Sequence, residues 1–165
     1  MAAATFSFDV VSKVEMPELQ NALNQARKEV DNRFDFKGSG SRMESGEDVL
    51  TAYSADEFHL RSMLEVLETR LIRRGVPLKA IDWGPVTDGP KGTVKREAKI
   101  LQGIDQDHAR EITRQAKKGD KKINVAVQQD QVRVSSKSKD SLQAVMKSLK
   151  EHDFGLPLQF TNFRP

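Results

Sequence analysis

The chain has 165 residues and 18.5 kDa, enough for one ordinary domain or two small ones. With 37% hydrophobic, 31% charged and 6% aromatic residues and no long apolar run, it falls outside the membrane-spanning and disordered classes, and the lack of cysteine rules out disulfide scaffolds, thiol nucleophiles, iron–sulfur clusters and cysteine zinc sites. The net charge of +3 is unevenly spread, with 11 Lys+Arg against 15 Asp+Glu in residues 1–88 and 16 against 9 in residues 89–165, so the C-terminal half is expected to face a polyanion.

Met1 to Phe8 has neither a basic n-region nor an apolar h-region, so no secretory leader and a cytoplasmic location are expected. Phe6, Phe8 and Val10 alternate as a half-buried strand does. Pro17 then opens a helix whose Leu19, Ala22, Leu23, Ala26 and Val30 share one face. Arg33 to Lys37 alternates again and predicts a strand with Phe34 and Phe36 on one side, followed by a turn over Gly38 to Gly46. Val49 to Tyr53 predicts the next strand, and Ser54-Ala55-Asp56-Glu57 a capped helix through Phe58, Met63, Leu64, Leu67 and Leu71 that Gly75 ends. Leu78, Ala80 and Ile81 predict a strand, and Gly84-Pro85 with Gly89-Pro90-Lys91-Gly92 reads as linker.

The order then repeats: a strand from Val94 to Leu101, a helix from about Asp107 to Lys118 with Ala109, Ile112 and Ala116 inward, and strands at Ile123 to Val127 and Val132 to Ser135. A helix capped by Ser138 or Asp140 carries Leu142, Val145, Met146 and Leu149, and Leu158 to Phe163 is the last strand. The repeat extends to residues, since Leu60, Met63, Leu64 and Leu67 match Leu142, Val145, Met146 and Leu149 at an offset of 82, each set followed by Gly-x-Pro-Leu. The fold class is therefore α+β: a tandem duplication of two ferredoxin-like βαββαβ domains, residues 1–88 and a basic 89–165, each with one sheet face left uncovered by helices. RNA-recognition modules use this architecture with open-face aromatics and flanking cations.

Ser7-Phe8-Asp9-Val10-Val11-Ser12, Asn32-Arg33-Phe34-Asp35-Phe36-Lys37-Gly38-Ser39, Val132-Arg133-Val134 and Leu156-Pro157-Leu158-Gln159-Phe160-Thr161-Asn162-Phe163-Arg164 closely resemble the YajQ family of small bacterial proteins, in unbroken order from about residue 5 to 165. The match departs near Gln129 and Ser136, where the resemblance leads one to expect glycine. It implies two ferredoxin-like domains whose first strands are open to exchange. It also implies nucleotide or nucleic-acid binding without established catalysis, with RNA and cyclic di-GMP as ligands attributed to relatives.

Among the cations, Lys95, Arg96, Lys99, Arg133 and Lys137 fall on predicted strands and form the preferred phosphate site, with Arg133 first because guanidinium binds phosphate bidentately and stacks on bases. Removing Arg133 is expected to weaken ligand binding and spare the fold. Arg110, Arg114, Lys117, Lys118, Lys121 and Lys122 line and follow one helix, where they either contact a polyanion or form a solvated face suited to a helix C-terminus. Phe163, Phe34 and Phe36 are candidate stacking platforms, although apolar residues on one side of a sheet normally face its helices. Trp83 reads as packing, and Gly38 to Arg42 as a hairpin turn without a P-loop ending. His59, His108 and His152 lack metal-ligand spacing, and no metal, other cofactor or catalytic residue is expected. The function expected is non-enzymatic holding of RNA or a cyclic dinucleotide on basic surfaces. The alternative is a protein-interaction adaptor, with a regulator as partner, whose contact is tuned by a nucleotide; no membrane partner is expected, and oligomeric state is left open.

Overall fold

The computed structural model describes residues 5–165, so the first four residues of the stretch read for a leader lie outside the description. The elements follow in the order β1 (Phe6–Val11), α1 (Met16–Asn32), β2 (Arg42–Ser45), β3 (Val49–Ser54), α2 (Glu57–Arg73), β4 (Ile81–Asp88), β5 (Val94–Ile100), α3 (Gln106–Gly119), β6 (Asn124–Gln128), β7 (Gln131–Ser136), α4 (Lys139–Glu151) and β8 (Gln159–Arg164). Local chemistry sets the helix ends. Pro17 occupies the first turn of α1, the Asp56 and Asp105 carboxylates accept from the His59 and His108 N–H at 2.8 Å to cap α2 and α3, and the Ser138 hydroxyl accepts from Ser141 N–H at 3.2 Å to cap α4. Gly75, at φ +76°, stops α2 in the left-handed region and lets Val76 N–H reach Leu71 O at 2.9 Å.

The strands form two antiparallel sheets, β2-β3-β5-β4 and β6-β7-β1-β8. Both orders are that of a ferredoxin-like sheet in which the first strand has been supplied by the other half of the chain. β5, first strand of the second repeat, lies between β3 and β4, and β1, first strand of the first repeat, lies between β7 and β8. The compact units are therefore residues Val14–Leu101 and the described residues up to Lys13 joined with Gln102–Pro165, rather than halves divided at residue 88. The charge division moves with the strands: residues 14–101 hold 14 Lys+Arg against 15 Asp+Glu, and the remainder 13 against 9.

Each unit has its own apolar core under two helices. Leu19, Leu23, Leu60, Met63, Leu67 and Leu71 meet Met43, Leu50, Ala52 and Ala98 in one, and Ile112, Leu142, Val145 and Leu149 meet Phe8, Val10, Val132 and Val134 in the other. Full burial of one such large side chain is worth about 1.5–3 kcal/mol. Five local expectations are corrected. Phe34–Phe36 is a turn of 3-10 helix, not a strand, and β2 lies inside the stretch read as a turn, where Met43 alone points to the core and the alternation is too short to stand out. Leu78–Ala80 is likewise 3-10, and β4 runs on through Gly84-Pro85, which an edge strand tolerates. The stretch read as a linker, 89–92, closes the β4–β5 hairpin within one unit, with Gly89 N–H on Thr93 O at 2.8 Å.

Candidate functional site

Side chains alternate across a pleated sheet, so the register decides which residues share the face without helices. In the 14–101 unit that face carries a row across three adjacent strands, Arg42 opposite Tyr53 and Tyr53 opposite Lys95, with Thr87 beyond on β4. The Arg42 guanidinium lies 4.1 Å from the Tyr53 ring centre and holds Glu44 at 2.6 Å. This is a cation–π pair. Lys95 and Lys99 project from the same strand on this face, with Glu97 between them and Asp82 opposite Lys99. Asp82, Pro85, Thr87, Lys95, Glu97 and Lys99 border a shallow depression of about 410 Å³. The surface is amphoteric, its lysines interleaved with carboxylates.

Arg96, between the two lysines in sequence, points the other way. Its Nε donates to Gly84 O at 2.7 Å and its guanidinium lies 5.5 Å from the Trp83 ring centre, while Trp83 packs against its own unit's core. Arg133 is on the uncovered face of the other sheet, directly opposite Asp9, and is committed there. Its Nε and Nη2 donate to the two Asp9 carboxylate oxygens at 2.8 and 3.3 Å, and Asn162 Nδ2 donates to the same carboxylate at 2.8 Å. The Arg133 hydrogen bond holds the Asp9 carboxyl below the usual carboxylate range; burial pushes the other way and Asn162 adds to the lowering. The same contact raises the Arg133 pKa. Lys137 follows β7, exposed. The five strand cations expected to form one basic surface are thus divided between two sheets, because β5 and β7 belong to different units.

Arg114, Lys117, Lys118, Lys121 and Lys122 are exposed on and after α3, and Arg110 pairs loosely with Asp107 at 3.6 Å. Phe163 is 61% exposed but lies on the helix side of β8, its ring 6.1 Å from the buried Phe8 ring. Phe36 is 5% exposed and belongs to the core, whereas Phe34 is 84% exposed in the 3-10 turn with Lys37 Nζ over its ring, outside either sheet. None of the three lies on an uncovered sheet face. His59 and His108 each contact the carboxylate that caps their own helix at 2.8 Å, and His152 contacts Glu111 at 3.2 Å. Backbone N–H bonds from His59 and His108 are the main cause of the lowered pKa of Asp56 and Asp105. Tyr53 and Arg42 were missed by the sequence reading. The signal for Tyr53 was present: with Leu50 and Ala52 inward, Val49, Thr51 and Tyr53 must share the other face.

Two ferredoxin-like units with exchanged central strands, each with an uncovered sheet face lined by polar and charged side chains, define a class of two-sheet proteins rather than a single-module fold. Within that class the chain belongs to the family described as nucleotide-binding protein YajQ-like, which matches residues 6–164. It is 45% identical over 164 residues to a protein of Chloroherpeton thalassium named nucleotide-binding protein, covering 98% of this chain and 99% of that one. Proteins of the same name from Desulfitobacterium hafniense and Bacillus cereus are 46% identical over 158 residues, covering 96% of this chain and 97% of theirs.

Proposed function

We propose that the chain is a non-enzymatic nucleotide-binding protein whose ligand lies on the uncovered face of the β2-β3-β5-β4 sheet. The row Arg42–Tyr53–Lys95 carries the reading, because it sets a stackable layer beside a cation on three adjacent strands. A base stacks on the Arg42–Tyr53 layer and phosphates sit at Lys95 and Lys99, which lie about 13 Å apart along one strand at its usual rise. Glu44, paired with Arg42, Glu97, 3.6 Å from the Lys95 ammonium, and Asp82 limit how far a run of phosphates can follow this face. That charge pattern favours a compact ligand over a long strand, and cyclic di-GMP, with two bases and two phosphates, is the form we favour. The names of the relatives support the ligand class.

The test is calorimetric titration with cyclic di-GMP and with a single-stranded RNA, each at low and near-physiological salt. Saturation by cyclic di-GMP at one site, surviving salt and weakened about 5- to 150-fold in Tyr53→Ala, is expected, since stacking is worth about 1–3 kcal/mol per base. Steep salt dependence with RNA would replace the compact ligand by a single strand. Affinity for both ligands unchanged in Tyr53→Ala removes this face from the site.

A further inference from the structure

Each sheet ends in two edge strands, and proteins guard such edges with charge, proline, bulges or brevity because an unpaired edge recruits another strand. Three of the four are guarded. β2 is four residues long and carries Arg42 and Glu44, β4 contains Pro85 and a register shift between Trp83 and Val86, and β8 pairs with β1 through a register shift and has Asn162 at φ +57°. β6, Asn124-Val125-Ala126-Val127-Gln128, has no charge and no proline, and its register with β7 is unbroken.

Gln128 and Gln131 flank a two-residue loop, so they form the hydrogen-bonded pair and bonded pairs alternate from there. Ala126 and Asn124 therefore bond to β7, while Val125 and Val127 turn their N–H and C=O groups to the free edge. Val127 is 53% exposed on the helix side of the sheet, in a groove of about 420 Å³ that α3 overhangs with Ala109, Arg110, Thr113 and Arg114.

We infer that β6 accepts an extended acidic segment of a partner protein as a fifth strand, seated under α3. Main-chain bonds to Val125 and Val127 provide the pairing, an apolar side chain covers Val127, and carboxylates on alternate residues reach Arg110 and Arg114. The spacing agrees: residues four apart on a helix are about 6 Å apart along its axis, and alternate residues of a strand about 6.7 Å. Arg114 makes no ion pair among the described residues, and Arg110 has only the loose contact to Asp107. The same two arginines disfavour a second copy of this chain at the edge, because antiparallel β6–β6 pairing brings like charges together. This surface belongs to the unit that does not carry the proposed nucleotide site.

The probe is a blocked peptide Thr-Ile-Thr-Glu-Thr-Glu-Thr and its reversed sequence, added to the full chain while amide hydrogen exchange is followed by NMR. At saturation one of the two peptides is expected to slow exchange of the Val125 and Val127 amides at least tenfold. Val127→Pro, which removes an edge N–H that β7 does not use, is expected to abolish this. If that variant does not fold, Arg110→Glu with Arg114→Glu serves instead: it should lose the acidic peptide and gain the version with Lys in place of Glu. The inference is overturned if neither peptide binds below about 1 mM, a weak affinity of some 4 kcal/mol, or if binding leaves the β6 amides unprotected. Equal binding of an equally charged proline-broken peptide, protection that rises with protein concentration alone, or protection by single-stranded RNA overturns it as well.

Discussion

Asp9 is the residue whose removal separates structure from ligand binding most sharply. Its side chain is 5% exposed and accepts three hydrogen bonds, two from Arg133 and one from Asn162. Each such charge-assisted bond is worth about 1.5–3 kcal/mol, and keeping a carboxylate out of water costs several kcal/mol in return, so Asp9→Ala should lose a net of about 2 kcal/mol. That corresponds to about 4–8 °C in Tm for a chain of this size. Arg133→Ala should be worse. It strands a buried carboxylate, whereas Asp9→Ala strands a guanidinium that water already reaches, its side chain being 29% exposed. The double variant should be no less stable than Asp9→Ala, because neither charge is left alone. The pH dependence has a definite sign. Arg133 holds the folded Asp9 carboxyl below its ordinary value, so as pH falls through about 4 the unfolded chain takes up a proton first and the native state loses this contribution. The stability gap between the natural chain and Asp9→Ala should therefore begin to narrow as pH falls below about 4 and go on narrowing until the folded carboxyl is protonated too, read as urea midpoints that differ by about 1 M at neutral pH and draw together in acid. Equal losses in Asp9→Ala and Arg133→Ala, or a gap as wide in acid as at neutral pH, would refute the reasoning. Nucleotide affinity should be unchanged in Asp9→Ala, with the proposed site on the other sheet.

Replacing both Lys95 and Lys99 by alanine should reduce the log–log salt slope for a short single-stranded oligonucleotide by about 1.4, at roughly 0.7 per phosphate contact, checked by filter binding at four or more salt concentrations. Lys118→Ala with Lys121→Ala should leave the affinity for cyclic di-GMP within twofold, measured by the same calorimetry as the natural chain. Gln129 sits at φ +53° in the β6–β7 loop, a position costly for a residue with a Cβ, so Gln129→Gly should raise stability by about 0.5–1 kcal/mol in urea titration.

The helical cores were legible because two repeats reinforce each other: Leu60, Met63, Leu64 and Leu67 are buried, as are Leu142, Val145 and Leu149 at the shared offset. The family resemblance and the α+β class were legible for the same reason, since they spread over the whole chain. The exchange of β1 and β5 could be raised only by resemblance, because alternation states which side of a strand is apolar and not which sheet receives it. Arg133 illustrates the loss. Its partner Asp9 is 124 residues away, and no local pattern connects them. Phe34-Asp35-Phe36 was misread because three residues fit a strand and a 3-10 turn equally, and only the burial of one phenylalanine tells them apart. Tyr53 was passed over in favour of cations, although its neighbours' alternation already placed it on the uncovered face.

The exchanged strands also order events during synthesis. The sheet of residues 14–101 has all four strands once β5 has been made, and 64 residues separate the end of β5 from the end of β8. β1, made first, then waits about 3–13 s at ordinary bacterial elongation rates for β7 and β8, the strands it must join. During that interval Phe6, Phe8, Val10 and Val11 have no permanent cover, and the closure that finally buries them spans most of the chain. During synthesis β1 is thus an apolar strand without its partners while the other sheet already has all of its own.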